Sequence, residues 1–260
     1  MNVVIQGGLY GDFTLETAYE YAKRDFITKV IISTWEGEEI FQNDIKSDKI
    51  VVLKSKMPEN HGPGNMNLQI VSSRNGIDLC DDGVVVKTRS DQHLYPPSIY
   101  KWKEYFEKNQ DRETLRYIDG KKQKSLVFLI GNNKTHPFHP QDHFFWGYKQ
   151  DVERIFNIPL WNDPPWTWRD APIKFNERLR PNIYLGIHYY RQFYPEVEKF
   201  LLNPNEYLLD NAPKYQEAMD FYTPRRDSIF LPMPRIEMWW AKQNSGYWYS
   251  YEKGGEYYAD

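Results

Sequence analysis

The sequence predicts an α/β fold, a mostly parallel sheet with helices on both faces, followed by an irregular, aromatic-rich C-terminal part. Two observations carry this. Up to residue 88, short β-branched apolar runs alternate with segments of helical period in the order β-α-β-β-α-β. Beyond residue 162 that alternation stops and Pro, Trp and Tyr become frequent.

The first strand, Val3-Val4-Ile5-Gln6, ends in Gly7-Gly8, the punctuation of a buried strand opening into a loop. Residues 14–24 (TLETAYEYAKR) set Leu15, Ala18, Tyr19 and Ala22 at helical spacing, with Thr14, Glu16 and Thr17 at a capped start. Residues 28–34 (TKVIIST) read as a parallel strand covered on both faces, running into the loop Trp35-Glu36-Gly37-Glu38. A third strand is expected at 50–53, and the Pro- and Gly-rich stretch 58–64 is a loop. A helix starts near Asn65 with Leu68, Val71 and Ile77 as its buried stripe, and Gly83 resets the chain before a fourth strand at 84–88. Residues 96–124 are charged and helical in places, and 125–130 (SLVFLI) form a fifth strand. Further helices are expected at 172–179 and 184–202, and 245–260 is expected to be partly disordered.

A chain of 260 residues can bury a sizeable core as one domain. The net charge of −3 and pI of about 6.1 give no basic footprint for nucleic acid. Cys80 is the lone cysteine, which excludes a disulfide framework and a cysteine-held zinc and fits a reducing compartment. With no charged leader and no run of about 18 apolar residues, the expectation is a cytoplasmic protein without a membrane span. Aromatic residues make up 17% of the chain, which suits either a large core or the faces of sugar rings.

In an open parallel sheet the ligand crevice lies beyond the carboxyl ends of the strands. The segment VVVKTRSD therefore carries Arg89 and Asp91 to that rim, where a carboxylate holding a hard cation, or a positioned guanidinium, can stabilise a departing phosphate. The other reading is a solvated strand end with Asp91 closing a turn. Gly7 and Gly8 would let a nucleotide approach the backbone closely, with Gln6, Thr34 and Trp35 on the same floor. Residues 136–143 pack His136, His139, His143 and Asp142 together. Asp142 suits a general base that deprotonates an acceptor hydroxyl; it could instead cap a following helix while His139 or His143 ligates metal, or all could be structural. His61, His93 and His188 read as structural, while the pairs Arg178 with Arg180 and Arg225 with Arg226 could hold phosphates of a donor or an anionic acceptor or be ordinary solvated surface pairs, and carry no firm role. Trp161, Trp166 and Trp168 suit either an acceptor lid or a hydrophobic anchor.

The succession VVIQGGL, KVIISTW, Asn65-x-Asn67-x-Gln69-x-x-Ser72 with Gly76, VVKTRSD and HPFHPQDHFFWG resembles the WavE-type lipopolysaccharide-synthesis family over roughly residues 3–160. That resemblance implies a GT-A-like (Rossmann-like) glycosyltransferase in one domain, with 1–95 binding a nucleotide-diphosphate sugar of the UDP or GDP type and 96–260 binding a glycan acceptor, lipopolysaccharide-like or a viral or other surface glycan. It implies Asp91 at the place of a metal-binding acidic motif for Mn²⁺ or Mg²⁺; the residues themselves are then expected to give donor contacts at Gln6, Gly7, Gly8, Thr34, Trp35, Gln69, Ser72, Arg89 and Asp91, and catalysis by Asp142 with inversion. Arg89 stands where a D-x-D motif has its first acid, so either Arg89 neutralises the phosphates directly or Asp91 binds the cation alone with water and diphosphate. Leu68 stands where the family more often has Arg. The competing classes are a non-catalytic carbohydrate- or nucleotide-binding protein of the same fold and, third, a nucleotidyltransferase, which would want a basic residue near Gly7-Gly8.

Overall fold

The computed structural model describes residues 1–40, 45–109, 117–118, 121–122, 127–129, 136–162, 181–209, 212–226, 230–232, 236–241, 245–250 and 256–259. The helix expected at 172–179, Trp166, Trp168 and the pair Arg178 with Arg180 lie outside the described residues. The chain begins β1 (Asn2–Gln6), α1 (Asp12–Ala22), β2 (Lys29–Trp35), β3 (Ile50–Ser55), α2 (Met66–Asp78), β4 (Val84–Arg89), β5 (Gln92–Leu94) and α3 (Pro96–Asn109). It continues with β6 (Tyr117–Ile118), β7 (Lys121–Lys122), β8 (Val127–Leu129), β9 (Phe144–Tyr148), α4 (Lys149–Phe156), α5 (Pro181–Arg191), α6 (Glu198–Leu202), α7 (Pro204–Tyr207) and α8 (Tyr215–Tyr222). Strands β10 (Phe230–Pro232), β11 (Ile236–Trp240), β12 (Ser245–Ser250) and β13 (Glu256–Ala259) complete it.

The fold is mixed α/β. A seven-stranded sheet runs in the order β10-β8-β9-β4-β1-β2-β3, and β9 alone opposes the others, pairing antiparallel with β4 and β8. The chain leaves β1 toward β2 on one side and reaches β4 on the other, so the strand order reverses between β1 and β4. There the loops after neighbouring strands part and leave a crevice. Side-chain alternation divides the core. Val4, Ile31 and Val85 face α2 and α4, while Val3, Ile5, Val30 and Ile32 face α1 and α3.

Gly76 sets how closely α2 lies on the sheet. A Cβ there would sit 2.5 Å from Val4 Cγ1 and 3.0 Å from Ser33 Cβ. The buried residues of α2 are Met66, Ile70, Ser73 and Ile77 at helical spacing, joined by Asn67, Ser72 and Gly76. Leu68 and Val71 are only half-buried, so the expected stripe is rotated, because small polar residues rather than leucine make the close approach to the strands. Thr14 is not a cap. Helix α1 starts at Asp12, and the Thr14 hydroxyl accepts from Tyr10 N at 2.8 Å and donates to Ser90 O at 3.0 Å, bracing the loop after β1.

The helix expected at 184–202 is interrupted after Arg191 and resumes through a 3₁₀ turn, Pro195–Val197, because proline has no amide hydrogen to continue the ladder. Residues 245–250 and 256–259, expected to be partly disordered, are paired strands. The order β13-β12-β11-β5 forms a second, antiparallel sheet that joins the chain just after β4. Much of the aromatic excess is core: Phe138, Tyr190, Phe200, Phe221 and Tyr222 meet ring to ring. Trp161 is an anchor, 3% exposed, with its backbone bonded to the Asn67 side chain at 2.7 and 3.0 Å. Among the described residues no helix is long and apolar enough to cross a membrane.

Candidate active site

A cleft of about 410 Å³ opens at the reversal of strand order. One wall is the loop after β1 and the turn after β4. In the parallel register Gln6 is the partner of both Ser33 and Arg89, so the carboxyl ends of three strands stand level. Gly7 adopts φ +117°, a left-handed value that favours glycine, and a Cβ there would lie 3.0 Å from Ser90 Oγ. Three hydrogen bonds fix Ser90: its amide donates to Gln6 O at 3.0 Å, its hydroxyl to Gly8 O at 2.6 Å, and its carbonyl accepts from Thr14. The wall is backbone held by one backbone bond and two side-chain hydroxyls.

On this wall Arg89 and Asp91 form a two-point ion pair. Arg89 Nε donates to Asp91 Oδ1 and Nη2 to Oδ2, both at 2.9 Å. Both residues line the cleft with Gln6, Gly7, Gly8 and Trp35, and Tyr10, 41% exposed, stands at its mouth. Thr34 does not line the floor expected of it. The period of two places it on the α1 face beside Ile32, where it is fully buried and its hydroxyl finds no partner among the described residues. Ser72 is also fully buried beneath the cleft, with Oγ 2.8 Å from Gln6 Oε1 and 2.7 Å from Leu68 O. Its single hydroxyl proton serves one of these at a time. It orders Gln6 from below rather than meeting a ligand.

The opposite wall is assembled from distant residues. The start of α2 contributes Gly64, Asn65, Leu68 and Gln69, and the segment before β9 contributes Asp142. Asp142 accepts from Gln69 Nε2 on Oδ2 at 2.8 Å and from Asn182 Nδ2 on Oδ1 at 3.0 Å. The capping reading of Asp142 is corrected: a strand follows it, and Tyr148 precedes the next helix, α4. Burial by itself would raise the Asp142 carboxyl. The positive charges of His143, Arg89 and Lys87 and the bond from Asn182 outweigh it and hold the group well below the usual carboxylate range. Near neutral pH the His143 contribution lapses, since burial drops that imidazole to about 4.

Sequence reasoning gave no role to Asn182 or Lys87. Lys87 is fully buried; its Nζ donates to Asp142 O at 2.8 Å and lies 5.5 Å from the ring centroids of both Phe145 and Phe156. Burial lowers its ammonium to about 7. A lysine inside an otherwise apolar strand, VVVKT, is the signal that could have found it. Nothing local marks Asn182.

Of the three clustered imidazoles, His136 and His139 meet edge to face with ring centroids 6.0 Å apart. The His143 ring bonds Gln92, while His136 lies 3.5 Å from the Tyr215 hydroxyl. Among the described residues no group of three or more His, Cys, Asp or Glu is placed to hold a metal ion. His188 is buried against Tyr184 at 4.4 Å, His93 stacks on Tyr21 and His61 is exposed. Arg225 packs against the aromatic cluster: its guanidinium lies 4.2 Å over the Phe221 ring and donates to Phe221 O.

Fold and cleft define an α/β protein with a polar site at the switch point of a mostly parallel sheet. The chain belongs to the WavE lipopolysaccharide synthesis family, whose model matches residues 3–222, and its role falls within lipopolysaccharide synthesis. HddC from Yersinia pseudotuberculosis is a similar solved structure, at 12% identity and a TM-score of 0.35 over 58% of this chain and 78% of that one, a likeness too loose to inform the site. No curated protein matches the chain.

Proposed function

We propose that the protein is a GT-A-like, nucleotide-sugar-dependent glycosyltransferase that moves a sugar from a UDP- or GDP-type donor to a glycan acceptor with inversion. The observation that carries this reading is the cleft itself: a glycine-lined strand end, a guanidinium and a second-wall carboxylate converge at the switch point in a member of a lipopolysaccharide-synthesis family.

In this reading Gln6, Gly7, Gly8 and Trp35 receive the nucleoside and Arg89 faces the diphosphate. The acceptor oxygen bonds to the anomeric carbon and gives its proton to Asp142, as the carbon–oxygen bond to the diphosphate breaks and its electron pair leaves with the phosphate. Asp142 is a weak Brønsted base because its pKa is so low. What it offers is ionisation at every working pH and a fixed place, since Gln69 and Asn182 occupy only part of the lone-pair capacity of its two oxygens. Residues 96–260 supply the acceptor side.

Incubation with a panel of nucleotide sugars tests this. Release of nucleoside diphosphate, faster with a lipopolysaccharide-type acceptor than without, is the expected result. Tight nucleotide binding with no release from any donor would instead favour a non-catalytic binding protein, the reading supported by the engagement of both cleft carboxylates.

A further inference from the structure

The Arg89–Asp91 pair stands where the family resemblance places a divalent cation, and its chemistry does not fit one. Each oxygen of Asp91 accepts from one nitrogen of the same guanidinium at 2.9 Å, the fork that a planar guanidinium makes with a carboxylate. The other carboxylate lining the cleft, Asp142, directs its oxygens to Gln69 and Asn182. A hard cation takes about six oxygen ligands, generally with a carboxylate among them. Here a dication would have to approach Asp91 against a guanidinium already in contact with it.

We propose that Arg89, aimed by Asp91, holds the donor diphosphate in place of a divalent cation. The inference rests on the nucleotide-diphosphate reading above. The mounting of the pair suits the task. Gln6, Gly8 and Thr14 fix Ser90 between the two residues, and Asp91 O accepts from Ala241 N at 2.9 Å, so the turn is pinned on both sides. The Arg89 side chain is 26% exposed against 12% for Asp91, which puts the cation nearer the open cleft than the anion. A guanidinium stays charged at every accessible pH and meets phosphate oxygens at two points.

Calorimetric titration of the whole chain with UDP and with GDP, in EDTA and then in Mn²⁺, tests this directly. Affinity for the preferred nucleotide should agree within about threefold between the two conditions. Arg89→Lys, which keeps charge but loses the fork, should weaken binding about tenfold, and Arg89→Met about a hundredfold, both without regaining a Mn²⁺ response. Thermal melts of each variant establish that it is folded. Should Mn²⁺ tighten wild-type binding by more than about tenfold, and Asp91→Asn erase that gain, a cation on Asp91 is the right account and the proposal is overturned. If neither nucleotide binds in either condition, the nucleotide reading fails and takes this inference with it, an outcome distinct from Mn²⁺-dependent binding.

Discussion

The two walls of the cleft are built by different means. The wall of β1 and β4 is made by neighbours in the sheet: the Ser90 amide and hydroxyl reach the carbonyls of Gln6 and Gly8, and Gly7 takes a torsion that other residues resist. The opposite wall, formed by the start of helix α2 together with Asp142, brings together residues 69, 142 and 182, whose mutual positions depend on helices α2 and α5 and on the aromatic cluster around Phe138. The first wall shapes the space and the second places a charge within it. Donor binding should therefore follow the first wall, and turnover the second.

The sharpest break in that division is expected from Asp142→Asn. Turnover should fall by about 10² to 10⁴ while the nucleotide dissociation constant stays within about threefold. A parallel loss of binding would make the second wall scaffolding only.

A smaller effect, on stability, tests whether the second wall depends on remote packing. A Cβ on Gly186 of α5 would lie 1.8 Å from Phe138 O, against backbone that cannot move aside cheaply. Gly186→Ala should lower stability in denaturant melts by roughly 3 kcal/mol, near the upper end for an overpacked site. A change under about 0.5 kcal/mol would show that the 136–143 segment is not tied to α5.

The last effect appears only on acidification and is at most of similar size. The folded pKa of His143, about 4, lies below its ordinary 6.5, so between these values the unfolded chain binds more protons. Stability from this group is complete above about pH 6.5 and falls as the pH drops toward 4, by about 3 kcal/mol at most. His188, also lowered to about 4 by burial, adds a similar slope from outside the cleft. His143→Gln should flatten part of the acid loss, and His188→Gln an independent part. Identical pH dependence in wild type and both variants would contradict the burial of these rings.

Much of the first wall was legible. The apolar runs of β1, β2 and β4 and the polar residues after them follow from local rules of period and punctuation, and so did the placing of Gly7, Gly8, Arg89 and Asp91 at one rim. The same period, applied strictly, would also have excluded Thr34, since it turns away from Ser33 and Trp35. The second wall was only half visible: Asp142 stood out in its histidine-rich segment, but its partners did not.

By itself, then, the sequence determined the alternation of strands and helices, the family and one rim of the site, because each of these is written in neighbouring residues or in motifs in order along the chain. Tertiary structure decided that β9 runs against its neighbours, that Arg89 turns its fork onto Asp91, and that Asn182 reaches Asp142 across forty positions of chain. Those outcomes arise from packing between segments far apart in sequence, where the geometry of contact, and not the identity of any single residue, selects the partner.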